Sequence, residues 1–160
     1  MLAPFLPSKS WISSIAISEK GQRMYLLDTS FLIDLAREKH RGAGRATGFL
    51  MAAPESEILY LSTVALAQFC VGEHLAKSQR ARRRAAQFRE WILALCAILP
   101  FDQNHAVEFG RIAAELRSKG RLIPESDIQI AASAISDGLK LVTRNHKHFA
   151  EVSGLTIQPF

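Results

Sequence analysis

Asp28 closes the apolar run Met24-Tyr25-Leu26-Leu27, and Asp127 opens Ile128-Gln129-Ile130-Ala131-Ala132 after an Ile123-Pro124 turn. A carboxylate leaving a buried strand, facing another in the first turn of a helix, is one way an α/β sheet assembles a site for a hard cation. Gln68 and Asn145 carry side-chain carbonyl oxygens that the same topology brings to the same edge. Oxygen donors of this kind suit Mg2+ or Mn2+, and such an ion points to phosphodiester chemistry. Thr29 and Thr143 offer hydroxyls to position a phosphate or a ligand, and Glu125 is a further acid two residues before Asp127. A lone Asp-Thr-Ser is as readily a helix cap as a ligand set. The Asp127 segment is what turns the balance toward a site.

The elements around these residues follow from pattern. Met24–Leu27 and Ile58–Leu61 are short apolar runs ending in polar residues, which predicts buried strands, and Ala97–Phe101 and Leu139–Thr143 predict two more. Leu155–Ile157 is a candidate edge strand. Between them lie helical stretches. Thr29 or Ser30 caps a helix to about Ala36, and residues 41–47 form a loop or frayed join to another helix. Ser62 or Thr63 caps a long helical stretch breaking near Gly72, with a buried stripe of Ala81, Ala85, Phe88, Ile92 and Leu95 beyond it. Asp102 caps the next helix, with Phe109, Ile112, Ala113 and Leu116 inward and Gly120 ending it. Ser126 or Asp127 starts a small-residue helix that Gly138 closes. Alternating strands and helices predict one α/β domain over residues 24–160, with helices on both faces of a four- to five-stranded parallel sheet (three layers, α/β/α). Residues 1–23 are read as an N-terminal extension.

Composition bounds the alternatives. The 160 residues are 48% hydrophobic and 22% charged, as in a globular domain. No apolar run is long enough to span a bilayer. Trp11–Ser18 is apolar but short and serine-broken, with Lys9 the only nearby upstream charge, which makes a poor secretory signal. Cys70 and Cys96 sit in apolar helical patterns and read as buried thiols in a reducing compartment. The expected location is cytoplasmic. A net charge of +5 predicts acidic partners. Much of the positive charge falls in Lys77, Arg80, Arg82, Arg83, Arg84 and Arg89. A solvated helix face, a surface for RNA phosphates and a contact for an acidic protein segment remain equally open readings of it. His146 and His148 lack a cysteine or third histidine for zinc. An aspartyl-phosphatase reading is discarded because Ser30 stands where a second aspartate is needed.

Taken in order, Leu27-Asp28-Thr29-Ser30-Phe31-Leu32-Ile33, then Ser62-Thr63-Val64-Ala65-Leu66-Ala67-Gln68, Ile123-Pro124-Glu125-Ser126-Asp127 and Leu141-Val142-Thr143-Arg144-Asn145 resemble the PIN-domain family, in particular toxin ribonucleases of the VapC type. The resemblance runs from about residue 24 to the end. It implies a PIN-like fold and a Mg2+- or Mn2+-dependent endoribonuclease acting on RNA, with a cognate antitoxin as partner and a homodimer as assembly. By motif, the family's four polar positions fall on Asp28, Gln68, Asp127 and Asn145, with Asp28 and Asp127 the metal ligands.

Gln68 departs from the pattern, because the family has glutamate there. A unit charge pair at ~4 Å is worth about 4 kcal/mol at an effective dielectric near 20, and a divalent ion roughly doubles it. A millimolar metal site totals only about 4 kcal/mol. An impaired member, a deliberately disarmed chain, or compensation by another acid, with Glu125 the best placed, each accommodates the change. A catalytically silent PIN module that binds RNA or protein is the competing reading.

Overall fold

The computed structural model describes residues 23–54 and 56–160; the N-terminal extension, but for its last residue, lies outside the described residues. Five parallel strands form one sheet in the order β3-β2-β1-β4-β5. They are β1 (Met24–Leu27), β2 (Ile58–Ser62), β3 (Ala97–Leu99), β4 (Lys140–Val142) and β5 (Ile157–Gln158). Seven helices accompany them among the described residues: α1 (Thr29–Arg41), α2 (Arg45–Ala52), α3 (Thr63–His74), α4 (Gln79–Leu95), α5 (Gln103–Ser118), α6 (Glu125–Ser136) and α7 (His146–Phe149). The chain therefore has the expected three-layer α/β/α plan, with all five strands.

Strand β1 holds the centre, and its burial explains its sequence. Tyr25, Leu26 and Leu27 are all buried although successive side chains point to opposite faces, so both faces are covered. The chain builds outward from β1 to β2 and β3, then crosses to lay β4 on the other side of β1. That reversal opens a crevice at the carboxyl ends of β1 and β4, the place where open α/β sheets hold ligands. Asp28 N donates to Val142 O at 3.0 Å, extending the β1–β4 ladder to the crevice mouth.

Several boundaries differ from expectation for local physical reasons. Asp28 itself is the N-cap of α1, its carboxylate accepting from Ser30 N, and the helix runs on to Arg41 before Gly42 ends it at φ +112°. The following loop is only three residues long. Glu38 then accepts from the amides of Ala46 and Thr47, capping α2 from a distance. Ser62 caps α3. The break beyond it falls after His74, and Gly72 stays helical. On α4 the fully buried stripe shrinks to Phe88 and Ile92, with Ala85 partly buried against the core. Ala81, in the first turn of α4 beside the turn from α3, is exposed, and Leu95 is 36% exposed. Pro100 follows β3 directly, so that strand stops at Leu99. Helix α6 starts at Glu125 with Pro124 as its cap residue, and buries Ile128, Ile130, Ala131, Ala132, Ser133 and Ala134. Small side chains let it lie close to its neighbours. Phe31 anchors the core, its ring edge-on to Phe49 and Phe160.

Candidate active site

Asp28 reaches the crevice because β1 ends there and α1 starts there. Its side chain is 4% exposed, and all of its acceptor contacts fall on Oδ2. Ser30 Oγ donates at 2.6 Å, Thr143 Oγ1 at 2.7 Å and Ser30 N at 3.3 Å. Thr143 leaves β4 wholly buried and also accepts from Asn145 N at 2.9 Å. Ser30 Oγ in turn accepts from Arg144 N at 3.1 Å. These bonds fix the Asp28 carboxylate and tie the exits of β1 and β4 together. Oδ1 has no protein donor among the described residues.

Asp127 enters from the first turn of α6. It is 8% exposed, and its Oδ2 lies 2.8 Å from His148 Nδ1. Burial pushes its carboxyl above the usual carboxylate range; the hydrogen bond from His148 opposes the shift, and the nearby Asp28 charge adds to it. The Asn145 amide sits 2.6 Å from the same ring nitrogen. The contacting amide atom is Nδ2, so Nδ1 either donates to Asp127 or accepts from Asn145, according to the tautomer of the ring. Among the described residues Oδ1 of Asp127, like that of Asp28, accepts no hydrogen bond from the protein. No buried side-chain nitrogen or oxygen is left unpartnered among the described residues, so both free oxygens open to solvent. Among the described residues neither acid has a lysine or arginine partner: Arg144, whose backbone N–H bonds Ser30, turns its side chain to Asp34, with Nη1 2.7 Å from each carboxylate oxygen.

Gln68 sits half-buried in the middle of α3. Its Oε1 accepts from Thr29 Oγ1, and its Nε2 donates to Ser126 Oγ at 2.7 Å. The side chain thus bridges the first turns of α1 and α6, beside both acids. Of the two threonines expected to position a phosphate or a ligand, Thr29 donates to Gln68 Oε1 and Thr143 donates to Asp28 Oδ2. Glu73 is buried against Arg89, its Oε2 accepting from Nε at 2.9 Å, and is turned away from the site. Glu125 is exposed at the head of α6. Among the described residues no three His, Cys, Asp or Glu side chains gather as a metal-holding group, so Glu125 does not complete a three-acid set with Asp28 and Asp127.

Sequence reasoning missed Ser30 as a clamp, Ser126 as the partner of Gln68, and His148 as the partner of Asp127. For His148 a signal existed, since it stands one helical turn after Asn145 at the exit of β4. Ser126 and Gln68 lie 58 positions apart, and no local pattern joins them.

The donor chemistry fits a hard divalent cation. Two carboxylates each commit one oxygen to the protein and present the other, and Mg2+ commonly takes one or two carboxylates with the rest of its shell from water and phosphate.

A PIN-domain family model matches residues 25–155. Ribonuclease VapC2 of Haemophilus influenzae is 35% identical over 131 residues, covering 82% of this chain and 93% of that protein. Among solved structures, VapBC2 from Rickettsia felis bound to a DNA fragment from its promoter aligns with a TM-score of 0.77 at 22% identity, over 86% of this chain and 98% of that one. DNA-bound VapBC from Salmonella typhimurium aligns at 0.74 and 25% identity, over 86% and 98%. The motif order, the sheet topology and the match over most of the sequence lead to one conclusion: the chain belongs to the PIN-domain family, among the VapC ribonucleases.

Proposed function

We propose that this chain is a Mg2+- or Mn2+-dependent endoribonuclease, the toxin half of a toxin–antitoxin pair. The observation that carries the reading is the pair of buried carboxylates, Asp28 and Asp127, with outward-facing Oδ1 atoms and no lysine or arginine partner among the described residues. Asp28 and Asp127 would hold the ion. When bound, it lowers the pKa of a water and screens the phosphate in an in-line attack. The protein's own part is positional. Ser30 and Thr143 keep Asp28 in one rotamer, His148 and Asn145 orient Asp127, and Thr29 and Ser126 hold Gln68 between the two acids. A clamp of this kind places substrate and ligand within reacting distance before chemistry begins.

RNA cleavage measured with Mg2+ or Mn2+, with a chelator, and with Asp28→Asn tests the proposal. Cleavage should require the ion and the carboxylate. Equal rates in the parent chain and the variant would falsify it.

One observation favours a second reading. Gln68 replaces a charge with an amide whose two ends are already hydrogen-bonded, which suits a silent module that binds RNA or protein without cutting. The partner we propose is a cognate antitoxin, supported by VapC relatives solved as VapBC complexes. A largely apolar cavity of about 290 Å3, lined by Leu35, Lys39, Thr47, Leu50, Met51 and Trp91, offers a surface for a partner segment. A homodimer and a cytoplasmic location belong to the same proposal. Both cysteines are free, and among the described residues no helix is long and apolar enough to cross a membrane.

A further inference from the structure

Six basic side chains between Lys77 and Arg89 look equivalent in sequence, and the fold separates them. Arg89 faces α3, where Nε donates to the buried Glu73 at 2.9 Å and Nη1 donates to Glu90. Arg82 bends back to donate Nη2 to the carbonyl of His74 at 2.9 Å, clamping the turn between α3 and α4. Lys77, Arg80, Arg83 and Arg84 are exposed and have no carboxylate partner among the described residues. Arg111 is neutralised by Glu108 and Glu115, Arg121 by Glu151, and Arg144 by Asp34; Arg41, Arg45 and Arg117 are also exposed without a carboxylate partner among the described residues, but they are scattered, whereas four unpaired cations fall between Lys77 and Arg84.

The position of the unpaired group follows from packing. Phe69, the neighbour of Gln68, stacks on Phe88 of α4 with ring centroids 5.2 Å apart. Arg84 precedes Phe88 by four residues and Arg80 by eight, so both lie on the stripe leading from that contact to the turn, about 5.4 Å per helical turn. Arg83 flanks them. From the other side, α3 runs only six residues from Gln68 to His74, about 9 Å. The unpaired charges thus lie on the α3–α4 hairpin within a few helical turns of Gln68, which bridges the heads of α1 and α6 beside the two acids. A site carrying two buried carboxylates repels a polyanion, and a cationic approach beside it is what counters that repulsion.

We propose that Arg80, Arg83 and Arg84 at the α3–α4 turn grip the phosphate backbone of single-stranded RNA beside the Asp28–Asp127 pocket. The inference rests on the reading of this site as RNA-acting. Val71 and Leu75 are exposed on the same hairpin, 59% and 75%, so an acidic protein segment is the rival occupant that the test must separate.

The test uses the full chain and a fluorescein-labelled single-stranded oligoribonucleotide, with anisotropy read in chelator across a salt series so that no cleavage intervenes. The triple variant Arg80→Gln, Arg83→Gln, Arg84→Gln should bind about tenfold more weakly or worse at low salt. Its slope of log K against log salt should be shallower by about 2, near 0.7 for each single-strand phosphate contact removed. Arg→Lys at all three positions keeps the charge and should restore most of the affinity, which a folding defect would not allow. Unchanged RNA affinity and slope overturn the proposal. Should poly-glutamate binding alone weaken, the turn belongs to an acidic protein segment and the proposal is equally overturned. Arginine-dependent binding in a chain that never cleaves RNA with Mg2+ supports the grip while sinking the nuclease reading.

Discussion

Two polar clusters tie secondary structure together in this molecule, and they handle charge in opposite ways. At the head of α5, His105 is 2% exposed, and its Nδ1 accepts from Asp102 N at 3.1 Å. Its Nε2 lies 3.1 Å from Asp137 Oδ2 at the end of α6. Both carboxylates of this clasp face solvent, 55% and 38% exposed. In the crevice the arrangement is inverted: the acids are buried, and the groups around them are mostly neutral. The clasp leaves its charges hydrated and buries a ring, which is what a stabilising contact requires. The crevice buries acids with no lysine or arginine partner among the described residues, a costly arrangement that persists where something outside the protein completes it.

Substitutions that remove one group from each cluster test the contrast most severely. Asp28→Asn keeps a competent helix cap and relieves a buried charge. Unfolding by urea should show stability unchanged or raised by up to about 1 kcal/mol. RNA cleavage should fall by roughly 100-fold or more, since losing one carboxylate from a metal site removes several kcal/mol of transition-state support. His105→Ala should do the reverse. Emptying that site and stranding its partners should cost about 2–4 kcal/mol, with cleavage per folded molecule intact. If Asp28→Asn instead destabilised the fold while His105→Ala silenced the enzyme, the assignment of roles would be inverted.

How much of this was legible before any coordinates depended on the range of each interaction. Asp102 and Ser62 announce themselves because a cap bonds within two or three residues of itself, although at α1 the cap falls on Asp28 and not on Thr29 or Ser30. The sheet was readable because buried parallel strands need continuous apolar runs. What escaped were bonds whose two ends are distant in sequence: Thr143 to Asp28 across 115 positions, Gln68 to Ser126 across 58, His105 to Asp137 across 32. The overlong stripe assigned to α4 has a related cause. Periodicity identifies a helix face but says nothing of where the neighbouring helix ends, and Ala81 lies at the turn where α3 gives way to α4.

Gln68→Glu sharpens the comparison by adding charge to the crevice alone. The local geometry accepts it, since Thr29 already donates to Oε1 and the Ser126 hydroxyl can turn from acceptor to donor. A third acid facing the ion should raise cleavage about tenfold and lower the metal concentration needed for half-maximal rate. In chelator the same variant should be less stable by about 1 kcal/mol, because three acids then crowd without a counter-ion. Full RNA binding with no cleavage gained would favour the silent module.

The smallest effect, and the most direct on charge, is the acid dependence of stability. Asp102 is held below its ordinary value of 3.8, chiefly by the backbone N–H of His105. Its contribution is therefore complete above 3.8 and is lost as pH falls through the lower, folded value. Asp127 is held above 3.8, chiefly by burial. In that window the unfolded chain ionises first, so the folded state loses stability as pH rises from 3.8 through the higher folded value. Urea midpoints of the parent chain, Asp102→Asn and Asp127→Asn, taken without metal over a pH series straddling 3.8, should separate the two. Asn still caps α5, so the Asp102→Asn deficit should shrink on acidification, whereas the Asp127→Asn advantage should grow as pH rises. Parallel pH dependences for the two variants would mean that clasp and crevice hold their carboxylates alike, and the distinction between a stabilising cluster and a metal-ready one would fail.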